Sequence, residues 1–189
     1  MKGVHHLEVT GSTNDVAHDL AVRGALDGTV VIAETQEAGR GRRGRDWFSP
    51  AKGNVYLSYV HRSRLQPREL SALTLDAATA VATALEDATG VRADLKWPND
   101  LLVNGRKIAG ILTELHTEIC PNGSPVVIIG VGINVAIEAS DFPEELRSIA
   151  TSVLVETGQA PEPRELAELV ARRLREKLAG YEAVRGPDM

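Results

Sequence analysis

Cysteine is almost absent from this 189-residue sequence: Cys120 stands alone. No intrachain disulfide can form, and a reducing cytoplasm is the simplest home for such a chain. Long apolar runs are missing too. Nothing approaches the ~20 residues that a membrane-spanning helix needs, and the start, Met1-Lys2-Gly3-Val4-His5-His6, lacks the apolar centre of a signal peptide. Internal repeats and low-complexity tracts are also absent. Nor is there an excess of positive charge: 21 Lys and Arg face 26 Asp and Glu, for a net charge of −5. That balance argues against general nucleic-acid affinity, which rewards basic surface spread along a phosphate backbone. His5, His6, His18, His61 and His116 fall at no metal-ligand spacing and read as structural or surface residues.

What is present is an ordinary globular composition, 43% apolar and 25% charged, at a length that fits one compact domain spanning residues 1–189. Against this acidic background one stretch stands out, Gln36-Glu37-Ala38-Gly39-Arg40-Gly41-Arg42-Arg43-Gly44-Arg45-Asp46-Trp47-Phe48. Without its four arginines the chain carries 17 basic against 26 acidic side chains. Glycines let backbone approach a ligand, and successive N–H groups in such turns make an anion-binding concavity. Arginine adds a planar, permanently charged fork suited to phosphate and carboxylate. The stretch reads as a loop that closes over a nucleotide or an acyl-phosphate. The competing readings are a solvated charge run and an RGG-like nucleic-acid contact. Its shortness, the strand signals on both sides and the closing Trp47-Phe48 pair favour the ligand loop.

Periodicity organises the rest. Val4 to Val9 reads as a short strand. Gly11-Ser12-Thr13-Asn14-Asp15 opens a helix to about Arg23, with Val16, Ala17, Leu20 and Ala21 on one face. Strands follow at 29–34 and 54–61, then the longest helix, 67–89, with an alanine-rich face suited to close packing on a sheet. Arg92 to Lys96 leads to Trp97-Pro98, where proline ends the strand. Asn104-Gly105 between apolar flanks is a strong hairpin signal, and Pro121-Asn122-Gly123-Ser124 marks another turn before a strand at 126–135. A short helix near 151–156 and an amphipathic helix over 163–181, presenting Leu166, Leu169, Val170, Leu174 and Leu178, complete an α+β single domain.

The hairpin allows a geometric deduction. A two-residue turn sets Val103 opposite Arg106, Leu102 opposite Lys107 and Asp100 opposite Ala109, with Asp100, Leu102, Lys107 and Ala109 on one face. Asp100 and Lys107 become diagonal neighbours within side-chain reach. They serve either as a surface ion pair or as part of a site. Ser12-Thr13-Asn14-Asp15 likewise reads either as a helix cap, with Ser12 as the capping residue and Asp15 completing a box-like acidic first turn, or as a polar cluster offered to a ligand. Gly130-Val131-Gly132-Ile133-Asn134 follows a buried strand. It is a bulge or a corner, and too short for a dinucleotide fingerprint.

Taken in order, five segments resemble the biotin protein ligases: Ser12-Thr13-Asn14; Gln36 through Ser49 with its GRGRRGR core; Lys96-Trp97-Pro98-Asn99-Asp100; Arg106-Lys107-Ile108-Ala109-Gly110-Ile111-Leu112; and Gly130-Val131-Gly132-Ile133-Asn134. The likeness covers residues 4–180. It implies a mixed, mostly antiparallel sheet packed with helices, the fold shared with class II aminoacyl-tRNA synthetases and lipoate ligases. It also implies an ATP-dependent ligase that activates biotin as biotinyl-5′-AMP and transfers it to one lysine of a biotin carboxyl carrier domain. By position it gives Ser12, Thr13, Asn14, Gln36, Gly39, Arg40, Lys107, Gly110 and Gly130 to biotin. Arg42, Arg45, Trp47, Asn99, Lys107 and Asn134 go to ATP, with Trp47 over the adenine. Lys107, Arg42 and Arg40 carry the chemistry, and Asp100 faces Mg²⁺. The resemblance also allows a homodimer. Larger relatives carry a helix-turn-helix domain before this region and a small SH3-like domain after it, and neither is expected here. The alternatives are a lipoate or octanoate ligase or transferase of the same fold, and a biotin sensor without turnover.

Overall fold

The computed structural model describes residues 3–51, 53–62, 67–117 and 125–184. Cys120 and the turn expected at Pro121-Asn122-Gly123-Ser124 lie outside them. The α+β expectation holds. Strands β1 (Val4–Thr10), β2 (Val30–Gln36), β3 (Val55–Arg62), β4 (Asp94–Lys96), β5 (Asp100–Val103), β6 (Arg106–His116) and β7 (Val126–Ile133) form one seven-stranded sheet. Its order is β1-β2-β3-β7-β6-β5-β4. Only β1 and β2 run parallel, joined by the crossover helix α1 (Thr13–Val22); the other neighbours are antiparallel. The described helices include α2 (Leu70–Thr89), α3 (Val153–Thr157) and α4 (Pro163–Val184). No described helix is long and apolar enough to cross a membrane.

The two faces of the sheet have different fates. On one, α2 and α4 bury the main core. Leu73, Ala77, Val81 and Ala84 of α2 meet Leu166, Val170, Leu174 and Leu178 of α4 over the strands. The small side chains on α2 let its backbone come close, as the alanine-rich pattern predicted. The other face is covered only in part, by α1, whose Ala17 and Ala21 pack on Val31, Val60, Val126 and Ile128. Beyond α1 this face lies open, and β7 shows why it can. Val127, Ile129, Val131 and Ile133 point to the main core, while the alternate positions run Val126 and Ile128 under α1, then Gly130 and Gly132. The strand sheds its side chains where the helix ends.

The β5–β6 hairpin departs from the expected register. Asn104 and Gly105 both take positive φ, 51° and 77°, as a type I′ turn requires. Val103 pairs with Arg106 and Leu102 with Lys107, but the register then slips, so that Leu101 pairs with Ala109 and Asp100 with Gly110. A bulge at Ile108 is the cause. The extra residue sends both Ile108 and Ala109 into the core, both fully buried. Ala109 therefore leaves the face assigned to it, and Gly110 takes its place beside Asp100. The bulge also peels Lys107 away from β7. Its backbone N–H donates to the Ile149 carbonyl at 2.8 Å, and its own carbonyl accepts from Thr151 N–H at 2.9 Å.

Candidate functional site

A cavity of about 450 Å³ occupies the open sheet face. Its floor is β6 and β7 at Gly110, Gly130 and Gly132; its walls are the start of α1, the basic loop, the β4–β5 corner and the stretch 142–150. The sequence-derived candidates converge here. Ser12, Thr13, Asn14 and Gln36 line one end, Arg40, Arg42 and Arg45 the roof, with Trp47 laid against the floor, and Asn99, Asp100, Lys107 and Asn134 the other end. Gly39 sits beneath the loop, where a β-carbon would collide with Ser49 and crowd Gln36.

The polar end is not built as a helix cap. Ser12 holds the N-cap position with extended backbone, but its side chain makes no capping bond, which corrects the capping expectation. Gln36 takes over: its Oε1 accepts the Thr13 N–H at 2.8 Å and lies 3.0 Å from Thr13 Oγ1. Asp15, expected to serve the first turn of the helix, instead takes both arms of Arg40, at 2.5 and 2.8 Å. The hydrogen bonds from Arg40 hold the Asp15 carboxyl below its ordinary 3.8, outweighing partial burial. Because the folded value is the lowered one, this pairing contributes at neutral and mildly acid pH. The contribution fades only as pH falls through that lowered value. The Arg40 guanidinium thus ties the basic loop to α1 at the edge of the cavity it lines.

The basic loop is ordered by its own backbone. Arg40 and Asp46 bridge in antiparallel fashion, Gly41 N–H donates to the Arg45 carbonyl at 2.6 Å and Trp47 N–H to the Gly39 carbonyl at 2.9 Å. Arg43, at φ 60°, occupies the left-handed region at the tip. Arg42 reaches across the cavity to Asn99 Oδ1 at 3.2 Å, and Asn99 is itself fixed by its Nδ2 on the Ile111 carbonyl at 2.9 Å. Behind the loop, Tyr56 donates to the Pro50 carbonyl at 2.9 Å, and burial pushes its hydroxyl up to about 12.

Lys107 Nζ lies 2.7 Å from Asp100 Oδ1 and 5.1 Å from the centre of the Trp47 ring. The expected ion pair forms, facing the cavity. Trp47 lies on the glycine floor: a β-carbon on Gly132 would stand 2.6–2.8 Å from three indole atoms, and one on Gly110 2.9 Å from another. Gly132→Ala should therefore lift Trp47, at an overpacking cost of roughly 1–3 kcal/mol. Trp97 is 72% exposed, so a Trp97→Phe background isolates the Trp47 emission. A red shift is expected, and unchanged emission would show that the floor yields instead.

Two candidates are less open than expected. The Asn134 amide donates to the Thr151 carbonyl at 2.9 Å, tying β7 to the chain before α3. The space over Gly130 is already taken by the Asn14 side chain. The sequence reading missed Ser58 and Glu114, which both bond Asn14, and the wall residues Phe142, Leu146 and Ile149. Ser58 had a signal, as the one small polar residue in an otherwise apolar and aromatic stretch of β3. The 142–150 wall had none, being irregular chain without periodicity.

Known proteins are similar to this chain over most of its length. Residues 6–134 match the model of the biotin/lipoate A/B protein ligase family. The bifunctional ligase/repressor BirA of Bacillus subtilis is 44% identical over 156 residues, 82% of this chain and 47% of that protein. The biotin–[acetyl-CoA-carboxylase] ligase of Mycobacterium tuberculosis is 36% identical over 184 residues, 93% of this chain and 65% of that one. The chain thus spans about half the length of the first relative and somewhat more of the second. The structure of the Aquifex aeolicus biotin protein ligase in complex with biotin and ATP superposes with a TM-score of 0.81 at 32% identity, over 97% of this chain and 73% of that one. A helix-backed sheet whose open face is floored by glycine and roofed by an arginine loop, matched across most of its length by these proteins, makes this chain a member of the biotin/lipoate A/B protein ligase family.

Proposed function

We propose that the chain activates biotin with ATP and transfers it to a lysine of an acceptor protein, the biotin carrier domain of a carboxylase. The observation that carries this reading is the polarity of the cavity on the open sheet face. Neutral hydrogen-bonding groups (Ser12, Thr13, Gln36) stand at one end, and Lys107, Arg42 and Arg45 gather toward the other. Such a cavity suits a ligand with a neutral polar head and an anionic tail that must meet a phosphate.

In the first step a biotin carboxylate oxygen attacks the α-phosphorus of ATP, the bond to the bridging oxygen breaks, and pyrophosphate leaves. Two anions are forced together; Lys107 offsets the charge that develops, and Arg42 helps retain the product. The product is a mixed anhydride that water would hydrolyse, so the basic loop and Trp47 cover it. In the second step the acceptor lysine amine attacks the carbonyl carbon, the carbon–oxygen bond to phosphate breaks, AMP leaves, and an amide remains. Asp100 is suited to Mg²⁺ that arrives on the triphosphate. Magnesium keeps most of its waters and needs one or two carboxylates beside phosphate oxygens. No cluster of three or more metal-ligating side chains occurs among the described residues, which fits a substrate-borne ion rather than a caged one. When bound, that ion supplies charge neutralisation at the phosphates.

Incubating the chain with biotin, MgATP and a carrier domain should release pyrophosphate only when biotin is present, and add one biotinyl mass to the carrier. Lipoate in place of biotin is the control for the other ligand class in the family's name. Pyrophosphate release independent of biotin, or faster with lipoate, would sink the reading.

A further inference from the structure

The ion pair between Lys107 and Asp100 is internal to the β5–β6 hairpin. It sets the ammonium relative to the hairpin, but it cannot hold the hairpin relative to the rest of the cavity. Within the sheet this segment is weakly held. Because of the bulge, the register of β6 with β7 begins only at Ala109, so Arg106 and Lys107 pair only with Val103 and Leu102 of the short strand β5.

One carboxylate supplies a further tie. Glu156, near the end of α3, has a side chain only 8% exposed. Its Oε1 accepts from Arg106 Nη2 at 2.8 Å and from Thr151 Oγ1 at 2.5 Å, and its Oε2 from Asn104 Nδ2 at 2.8 Å. Asn104 belongs to the hairpin turn, Arg106 adjoins Lys107, and Thr151 N–H is the donor to the Lys107 carbonyl. Each donor is thus part of the hairpin tip or of the chain that anchors it. The base is firm: Val153 and Leu154 N–H, in the first turn of α3, donate to the Asn134 and Val135 carbonyls at 3.0 and 2.9 Å, just beyond β7. The attachment that the bulge removes between β6 and β7 returns through a side chain.

We propose that Glu156 is a positioning residue for Lys107: by fastening the hairpin tip to α3, it fixes where the ammonium stands in the cavity when phosphate charge develops. This rests on the biotin reading and on the part Lys107 plays in it. Asp100 aims the ammonium, and Glu156 holds the ground from which it is aimed. Glu156 itself does not line the cavity. It matters to the step because misplacing a group by about 1 Å can cost on the order of 10²-fold in rate.

The test is a double-mutant cycle on the whole chain, read as single-turnover formation of biotinyl-adenylate at saturating biotin and MgATP, with thermal unfolding followed alongside. Glu156→Leu should slow the step by roughly 10- to 100-fold. Its affinity for biotin should change little, since the lost placement bears on the transition state. In a Lys107→Ala background the same substitution should cost less than about 3-fold, because the ammonium it would misplace is already gone. A residue that only supports the fold would cost the same factor in both backgrounds. Glu156→Gln keeps one acceptor oxygen and should fall between wild type and Glu156→Leu. Arg106→Met cuts one arm to the hairpin and leaves Glu156 bonded to Thr151; it should show the same dependence on Lys107, and stands in if Glu156→Leu folds poorly. Equal losses in the two backgrounds, or full rate in a folded Glu156→Leu variant, would overturn the proposal and leave the biotin reading standing. A wild type that forms no biotinyl-adenylate would overturn the biotin reading, and this inference with it.

Discussion

Lys107→Ala is expected to lower the rate of adenylate formation by on the order of 10²–10³, the usual cost of losing one electrostatic donor where transition-state charge develops. The geometry makes this a clean experiment. The Lys107 backbone is held by Ile149 and Thr151 on one side and by Leu102 on the other, so truncating the side chain leaves the strand in place. What is lost is the ammonium, 2.7 Å from Asp100 and within reach of the Trp47 ring. Lys107→Arg keeps the charge and should fall much less, though its planar fork does not reproduce a point charge. Rapid-quench measurement of biotinyl-adenylate reads both. An alanine variant that forms adenylate at near-normal rate would remove Lys107 from the chemistry.

Arg42→Gly is expected to leave adenylate formation largely intact and let the intermediate escape. Arg42 spans from the loop to Asn99 on the opposite wall, and it lies away from the Thr13–Gln36 end that would hold the biotin head. Losing one charge-assisted contact, about 1.5–3 kcal/mol, should speed dissociation by roughly ten- to a hundredfold. Released adenylate would acylate exposed lysines on bystander proteins. Blotting an unrelated protein for biotin after incubation with the variant tests this. Labelling confined to the carrier, or no adenylate at all, would give Arg42 a different role.

Much of the fold could be read from the sequence because its signals are local. The Asn104-Gly105 turn and the apolar faces of α2 and α4 depend on neighbours a few positions away. The loop was legible as a ligand element because its charge contradicts the rest of the chain. The bulge was not legible. Ile108 and Ala109 are both apolar, and a regular ladder satisfies the pattern nearly as well. The Arg40–Asp15 pair and the Asn14–Glu114 contact join residues 25 and 100 positions apart, and no periodicity reports such a meeting. The local reading of Asp15 as a first-turn acid was reasonable, and a tertiary partner overrode it.

The bulge gives Lys107 a second employment. Its backbone fastens an otherwise irregular stretch, 138–150, to the sheet, and that stretch in turn forms one wall of the cavity. The ammonium is held by Asp100, while the backbone that bears it carries the mounting of a length of helix-free chain. Lengthening or shortening that mount would re-aim the lysine without touching it. An engineer wishing to admit a longer acid beside the phosphate would begin there, where the scaffold is adjustable, and leave the sheet alone.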